Sequence, residues 1–209
     1  MRIRSFATAV ALILSFTLSA QTPQRPSAPA APRRATPPLV VLVVVDQFRA
    51  DYIQRYGATW TKGLRRLVDT GASFPLAAYP YAVTLTCAGH STIGTGAFPH
   101  THGMIANTWY DRASKKTVAC TEDASITALP FGGLAAKEHH GPKWLQTNTF
   151  ADELRNQSVI APKITSVSFK ARSAIGMAGH GGDLVFWAEE SGVWSTSSAY
   201  AKTTRADVD

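Results

Sequence analysis

The 209-residue sequence carries 21 Lys and Arg against 14 Asp and Glu, a formal net charge of +7. Five of those basic residues fall in the first 38 positions, which hold no acid, so residues 39–209 carry 16 basic and 14 acidic side chains, a net +2. That near-balance, with no basic stripe interleaved with aromatics, excludes a charge-driven nucleic-acid reading and selects no other partner.

Residues 1–20 read as a secretory signal. Arg2 and Arg4 form a positive start, an apolar stretch runs from Phe6 to Leu18, and Ser19-Ala20 offers small residues for cleavage. The apolar stretch is shorter than the ~20 residues that span a bilayer, although an uncleaved anchor is the alternative. Residues 21–38 are rich in Pro and Ala, with no large apolar residue, and read as an extended linker. The remaining 171 residues suffice for one domain with a core. These readings place the chain in the periplasm or outside the cell.

Residues 39–45 (LVVLVVV) are apolar on both faces, which predicts a central strand of a parallel sheet ending at Asp46. Helical spacing over 61–68 sets Leu64, Leu67 and Val68 on one side, with Gly71 as a stop. A second strand is expected over 72–78, and a short helix over 86–95 closed by Gly96 and Pro99. An extended segment follows at 104–110, then loop with short strands over 112–146. Thr149 and Asp152 have capping-box spacing and open a helix through Leu154. A strand over 164–169, a short helix near Ser173 and a strand over 184–188 complete the series. This alternation predicts an α/β fold with a mostly parallel central sheet flanked by helices, whose ligands gather beyond the carboxyl ends of the strands.

Several polar residues sit where chemistry could be done. Asp46 follows the first apolar run and faces either a ligand crevice or, more simply, a helix it caps. Thr86 opens the 86–95 helix, where free backbone N–H groups and the helix dipole favour anions; the plain alternative is an N-cap. A threonine nucleophile also needs activation, which a metal ion supplies. Cys87 and Cys120 are an even pair in an exported chain and form a disulfide candidate worth ~3 kcal/mol; two buried thiols are the alternative. Glu138, His139 and His140 lie in a loop bounded by Gly and Pro, a poor geometry for a metal cluster.

The stretch from Thr84 to Asp111 (TLTCAGHSTIGTGAFPHTHGMIANTWYD) resembles the nucleophile region of the type I phosphodiesterase/nucleotide pyrophosphatase group of the alkaline phosphatase superfamily. The shared pattern falls on Thr86, Gly89-His90, Thr95-Gly96, Pro99, His102-Gly103 and Asn107. The resemblance implies an alkaline-phosphatase-like fold and a site with two Zn2+ ions. In it Asp46 and Thr86 bind one metal, Thr86 attacks phosphorus to give a phospho-threonine, and Asn107 donates to a phosphoryl oxygen. Paired metals suit an in-line displacement because they stabilise both the attacking and the leaving oxygen. His90 and His102 carry structural rather than metal-binding roles in such a site.

Phe169-Lys170-Ala171-Arg172 resembles the Lys-x-Arg element of the phosphate-irrepressible alkaline phosphatases, which implies that Lys170 and Arg172 contact phosphoryl oxygens. Two cations suit the dianion of a monoester, whereas a solvated pair after a strand is the plain alternative. The sulfatase motif Cys-x-Pro-x-Arg is absent, since Cys87 is followed by Ala-Gly-His-Ser. The family's remaining ligands, an Asp-x-x-x-His and an Asp-His, do not occur, so the expectation is an incomplete domain with little activity by itself. The readings carried forward are a small-molecule phosphomonoesterase, a phosphodiesterase or nucleotide pyrophosphatase, and a non-catalytic phosphate-binding remnant.

Overall fold

The structure is a computed structural model that describes residues 39–131 and 138–201. Two compact units are distinguished, Met1–Leu42 and Val43–Asp209, the boundary lying four residues beyond the Pro/Ala-rich stretch. The signal and linker readings fall outside the described residues. No helix among the described residues is long and apolar enough to cross a membrane.

The second unit opens with helix α1 (Tyr52–Tyr56), a 3-10 turn (Gly57–Thr59) and helix α2 (Gly63–Thr70). Helix α2 ends where Gly71 N–H bonds to Leu67 O, as its spacing predicts. Two expected strands do not form. Residues 39–45 have no ladder partner among the described residues, and Leu39, Val41 and Val43 are 76%, 67% and 78% exposed. Apolar β-branched residues favour a pleated, covered surface, but a strand exists only once another strand pairs with it. Over 72–78, Pro75 removes a ladder donor and a turn closes through Ala77 N–H to Phe74 O, leaving Phe74 and Leu76 exposed.

Helices α3 (Thr86–Thr95) and α4 (Pro99–His102) follow, each stopped by a glycine in the left-handed region, Gly96 at φ 68° and Gly103 at φ 83°. Strands β1 (Thr108–Asp111) and β2 (Lys116–Ala119) form an antiparallel hairpin that is a separate two-stranded sheet. The main sheet combines β3 (Ala128–Pro130), β4 (Thr165–Ser168), β5 (Leu184–Ala188) and β6 (Trp194–Ser197) in the order β3-β6-β5-β4. Helix α6 (Ala171–Ala178) links β4 to β5, the one parallel pairing of three, so the expected parallel character resides in this βαβ unit. The α/β class is the one the alternation predicts.

Strand β6 was absent from the sequence expectations because Trp-Ser-Thr-Ser lacks apolar alternation. It is nonetheless buried in the middle of the sheet, where Thr196 Oγ1 donates to Val185 O. The signal that could have found it is the turn at Ser191-Gly192, with Gly192 at φ 83°.

Two packing features fix this framework. Ala171, Ala174, Ile175 and Ala178 of α6 pack on Val185 and Trp187 of β5 to form the main core. The other side of α6 meets α3 so closely that a Cβ on Gly94 would stand 2.1 Å from Gly176 O. Small residues on both helices are what permit that approach.

Helix α5 (Phe150–Gln157) opens with the full capping box: Thr149 Oγ1 accepts from Asp152 N–H, and Asp152 accepts from Thr149 N–H. The buried Asp152 carboxylate also accepts from the N–H groups of His180 and Gly181 and from His180 Nδ1. Burial alone would raise its pKa, but the hydrogen bonds from His180, Thr149 and Gly181 outweigh that and hold it well below the usual carboxylate range. The same contact raises His180, whose Nε2 faces Leu145 O.

Two predictions follow from this packing. Gly94→Ala forces α3 and α6 apart and should destabilise by about 1–3 kcal/mol, read as a lower denaturant midpoint at unchanged m. The Asp152–His180 pair sets a pH window. Asp152, with its lowered pKa, stabilises above about pH 4 and loses that contribution as pH falls through its folded value. His180, with its raised pKa, stabilises below about pH 6.5 and loses that contribution as pH rises through its folded value. Tm should therefore peak between about pH 4 and 6.5, and Asp152→Asn should flatten the acid limb.

Candidate active site

Thr86 is the first residue of α3 rather than its cap. The N-cap is Leu85, which offers no side-chain hydrogen bond, so the hydroxyl of Thr86 is not occupied in capping. Its Oγ1 donates instead to Asp46 Oδ2 at 3.1 Å, a contact between residues forty positions apart. Asp46 lies in a turn where Gln47 takes φ 58° and Phe48 N–H bonds to Val45 O, so it does not cap α1, whose N-cap is Asp51. Asp46 is exposed and Thr86 half-buried, which leaves this pair open to a ligand. The N-terminus of α3 adds free N–H groups and the positive end of its dipole.

Asn107 is brought to the same end of α3. Its Oδ1 accepts from Cys87 N–H at 2.9 Å, and its backbone carbonyl accepts from Cys120 N–H at 2.9 Å. The Nδ2 donors make no hydrogen bond among the described residues. Cys87 and Cys120 are joined by a disulfide, buried with Met104 and Leu145 under the edge-to-face pair Trp109 and Trp144.

Lys170 and Arg172 stand at the other partner of the helix pair. Lys170 is the N-cap of α6 and exposed, and Arg172 lies in its first turn. No hydrogen bond or ion pair links either to Asp46, Thr86 or Asn107 among the described residues. Arg172 Nε is buried with no partner among those residues. An unmet buried donor costs roughly 1–3 kcal/mol.

The histidines are held by structural bonds. His90 Nδ1 meets Thr86 O at 2.8 Å within α3. His102 is fully buried: its Nδ1 accepts from Met104 N–H, so Nε2 carries the proton to Thr92 Oγ1, which also accepts from Tyr81 OH. Burial pushes the His102 imidazole down, consistent with that neutral form. His140 bonds Thr121 and Glu138, and His139 bonds Ile126 O. No group of three or more His, Cys, Asp or Glu among the described residues could hold a metal ion. Asp46 and Thr86 thus fit zinc in donor type, as adjacent oxygens, but fall short of the roughly three protein ligands of a catalytic site.

The sequence profile of the type I phosphodiesterase / nucleotide pyrophosphatase family matches residues 40–205. Alkaline phosphatase PhoV of Synechococcus elongatus is 35% identical over 204 residues, covering 96% of this chain and 37% of that protein. Alkaline phosphatase PafA of Elizabethkingia meningoseptica is 37% identical over 169 residues, covering 79% of this chain and 31% of that one. The wild-type PafA crystal structure superposes with a TM-score of 0.73 at 34% identity, covering 78% of this chain and 32% of that chain. A PafA variant with a Thr, an Asn, a Lys and an Arg substituted superposes equally well, at 32% identity. The chain spans about a third of the length of these curated relatives.

With only Asp46 and Thr86 as donors among the described residues, zinc titration of the polypeptide by calorimetry should show binding no tighter than roughly micromolar. Asp46→Ala should abolish what binding there is. Sub-micromolar uptake of two zinc ions would refute this ligand set.

Proposed function

The chain belongs to the type I phosphodiesterase/nucleotide pyrophosphatase family, and on that premise we propose that it carries the nucleophile half of a metal-dependent phosphate monoesterase. The observation that supports this most directly is the Thr86 hydroxyl, free of capping and bonded to Asp46 at the open N-terminus of a buried helix.

In this reading a small phosphate ester lies against the N-terminus of α3. Thr86 Oγ1 forms the bond to phosphorus as the bond to the leaving oxygen breaks, giving a phospho-threonine that water then hydrolyses. Asp46 Oδ2 holds the hydroxyl proton, which directs the lone pairs of Oγ1 away from the carboxylate and toward the ester. Asn107, with Oδ1 fixed on Cys87 N–H, offers Nδ2 to a non-bridging oxygen. Lys170 and the unmet Arg172 Nε supply positive charge for the remaining oxygens. Zinc, held in part by Asp46 and Thr86, would lower the pKa of the attacking hydroxyl.

Residue spacing supports these roles. The Thr and Asn substituted in the PafA variant stand twenty-one residues apart and its Lys and Arg two apart, the intervals that separate Thr86 from Asn107 and Lys170 from Arg172 here. The Lys-Arg pair is what favours monoesters, because a monoester dianion carries one more charge than a diester. The family's own description keeps a phosphodiesterase or nucleotide pyrophosphatase as the second reading. The signal-like residues 1–20 and the disulfide both suit an exported, periplasmic or secreted protein.

In a form that also carries the family's remaining metal ligands, with zinc supplied, turnover of an aryl phosphate monoester should exceed that of the matching diester. Thr86→Ala should lower it by about 10³-fold or more, and Lys170→Ala with Arg172→Ala should remove the monoester preference. Full turnover in Thr86→Ala would remove the nucleophile assignment. A diester preference would favour the second reading, and phosphate binding indifferent to zinc would indicate a non-catalytic binding protein.

A further inference from the structure

The disulfide occupies an unusual place relative to the site. Asn107 immediately precedes β1 and Cys120 immediately follows β2, so Cys120 N–H to Asn107 O extends the hairpin ladder by one rung. Cys87 immediately follows Thr86 and gives its N–H to the Asn107 side chain. The S–S bond then ties Cys120 back to Cys87. Two hydrogen bonds and one covalent bond thereby close a ring through Asn107, with Thr86 next to its helical corner.

This ring matters because, among the described residues, the hairpin joins no strand of the four-stranded sheet, and isolated two-stranded hairpins are marginal in water. The element that presents Asn107 is held against α3 by the disulfide and by the packing of Met104, Leu145, Trp109 and Trp144 around it, while the Glu122–His140 bridge and the bond from Trp144 Nε1 to Glu122 O anchor the chain just past Cys120. A side-chain donor misplaced by about 1 Å loses much of its effect on a reacting group.

We propose that Cys87 and Cys120 are positioning residues of the site: their disulfide fixes the Asn107 carboxamide against the N-terminus of α3, beside Thr86. The proposal rests on the roles given above to Thr86 and Asn107. A disulfide serving stability alone would stiffen α3 and the hairpin generally and would leave the Asn107 carboxamide no more affected than its surroundings.

The test compares the native chain, Cys120→Ala, Asn107→Ala and the combined variant by amide hydrogen exchange and, in a form that also carries the family's remaining metal ligands with zinc supplied, by aryl phosphate turnover. In Cys120→Ala, the Cys87 amide should exchange about 10-fold faster while Gly89 and Ser91 in the same helix change far less, and the Asn107 side-chain amide signals should move toward free values. Turnover should fall about 10-fold in kcat, and Asn107→Ala should lower it no further when combined with Cys120→Ala than alone. Unchanged Cys87 exchange, uniform loosening of α3, or additive turnover losses would overturn the proposal. The exchange arm decides the matter even where Thr86→Ala shows that Thr86 is not the nucleophile. If Cys120→Ala does not fold, Cys120→Val refills the buried volume for the same measurement.

Discussion

The close crossing of α3 and α6 is the constraint on which the rest of the structure depends. At Gly94 the two backbones approach so closely that no side chain fits against Gly176 O, and a Cβ at Gly176 would press on Ser91 Oγ at 3.1 Å. That contact seats α3 on a helix whose opposite face is already buried on β5. The main sheet thus positions Thr86 indirectly, through α6. The same contact makes Thr86 and the Lys170/Arg172 pair parts of one helix pair, although they are 84 residues or more apart in sequence.

A second, polar constraint joins the remaining pieces. Asp152 is both the capping-box partner of Thr149 at the start of α5 and the acceptor for the chain as it leaves α6, so one carboxylate fixes two helix ends. Gly179 makes this possible: it sits at φ 71°, and a Cβ there would stand 2.0 Å from Asp152 Oδ2. His180 extends the contact to Leu145, which belongs to the packing around the disulfide. The apolar and polar cores are therefore mechanically continuous, with the hairpin that carries Asn107 at the far end.

Local signals in the sequence proved informative where the structure is locally determined. The capping box at Thr149 and Asp152, the glycine stops of α2 and α3, and strand β5 all follow from a few neighbouring residues. Non-local pairing was not legible. Residues 39–45 have ideal strand composition yet no partner among the described residues, while the polar β6 is a strand because β3 and β5 flank it. The site divides the same way. Resemblance singled out Asp46, Thr86 and Asn107, but the bond from Thr86 to Asp46 and the hold of Cys87 on Asn107 span forty and twenty residues, and no local pattern encodes them.

The bare apolar run at 39–45 also bears on how this polypeptide behaves in bulk. Seven uncharged, largely β-branched residues without proline form a ready template for pairing with the same segment of another copy. A net charge of only +2 over residues 39–209 provides little mutual repulsion to oppose such pairing. Self-association of this polypeptide is therefore expected to begin at a seven-residue exposed segment rather than at the well-packed α3–α6 core.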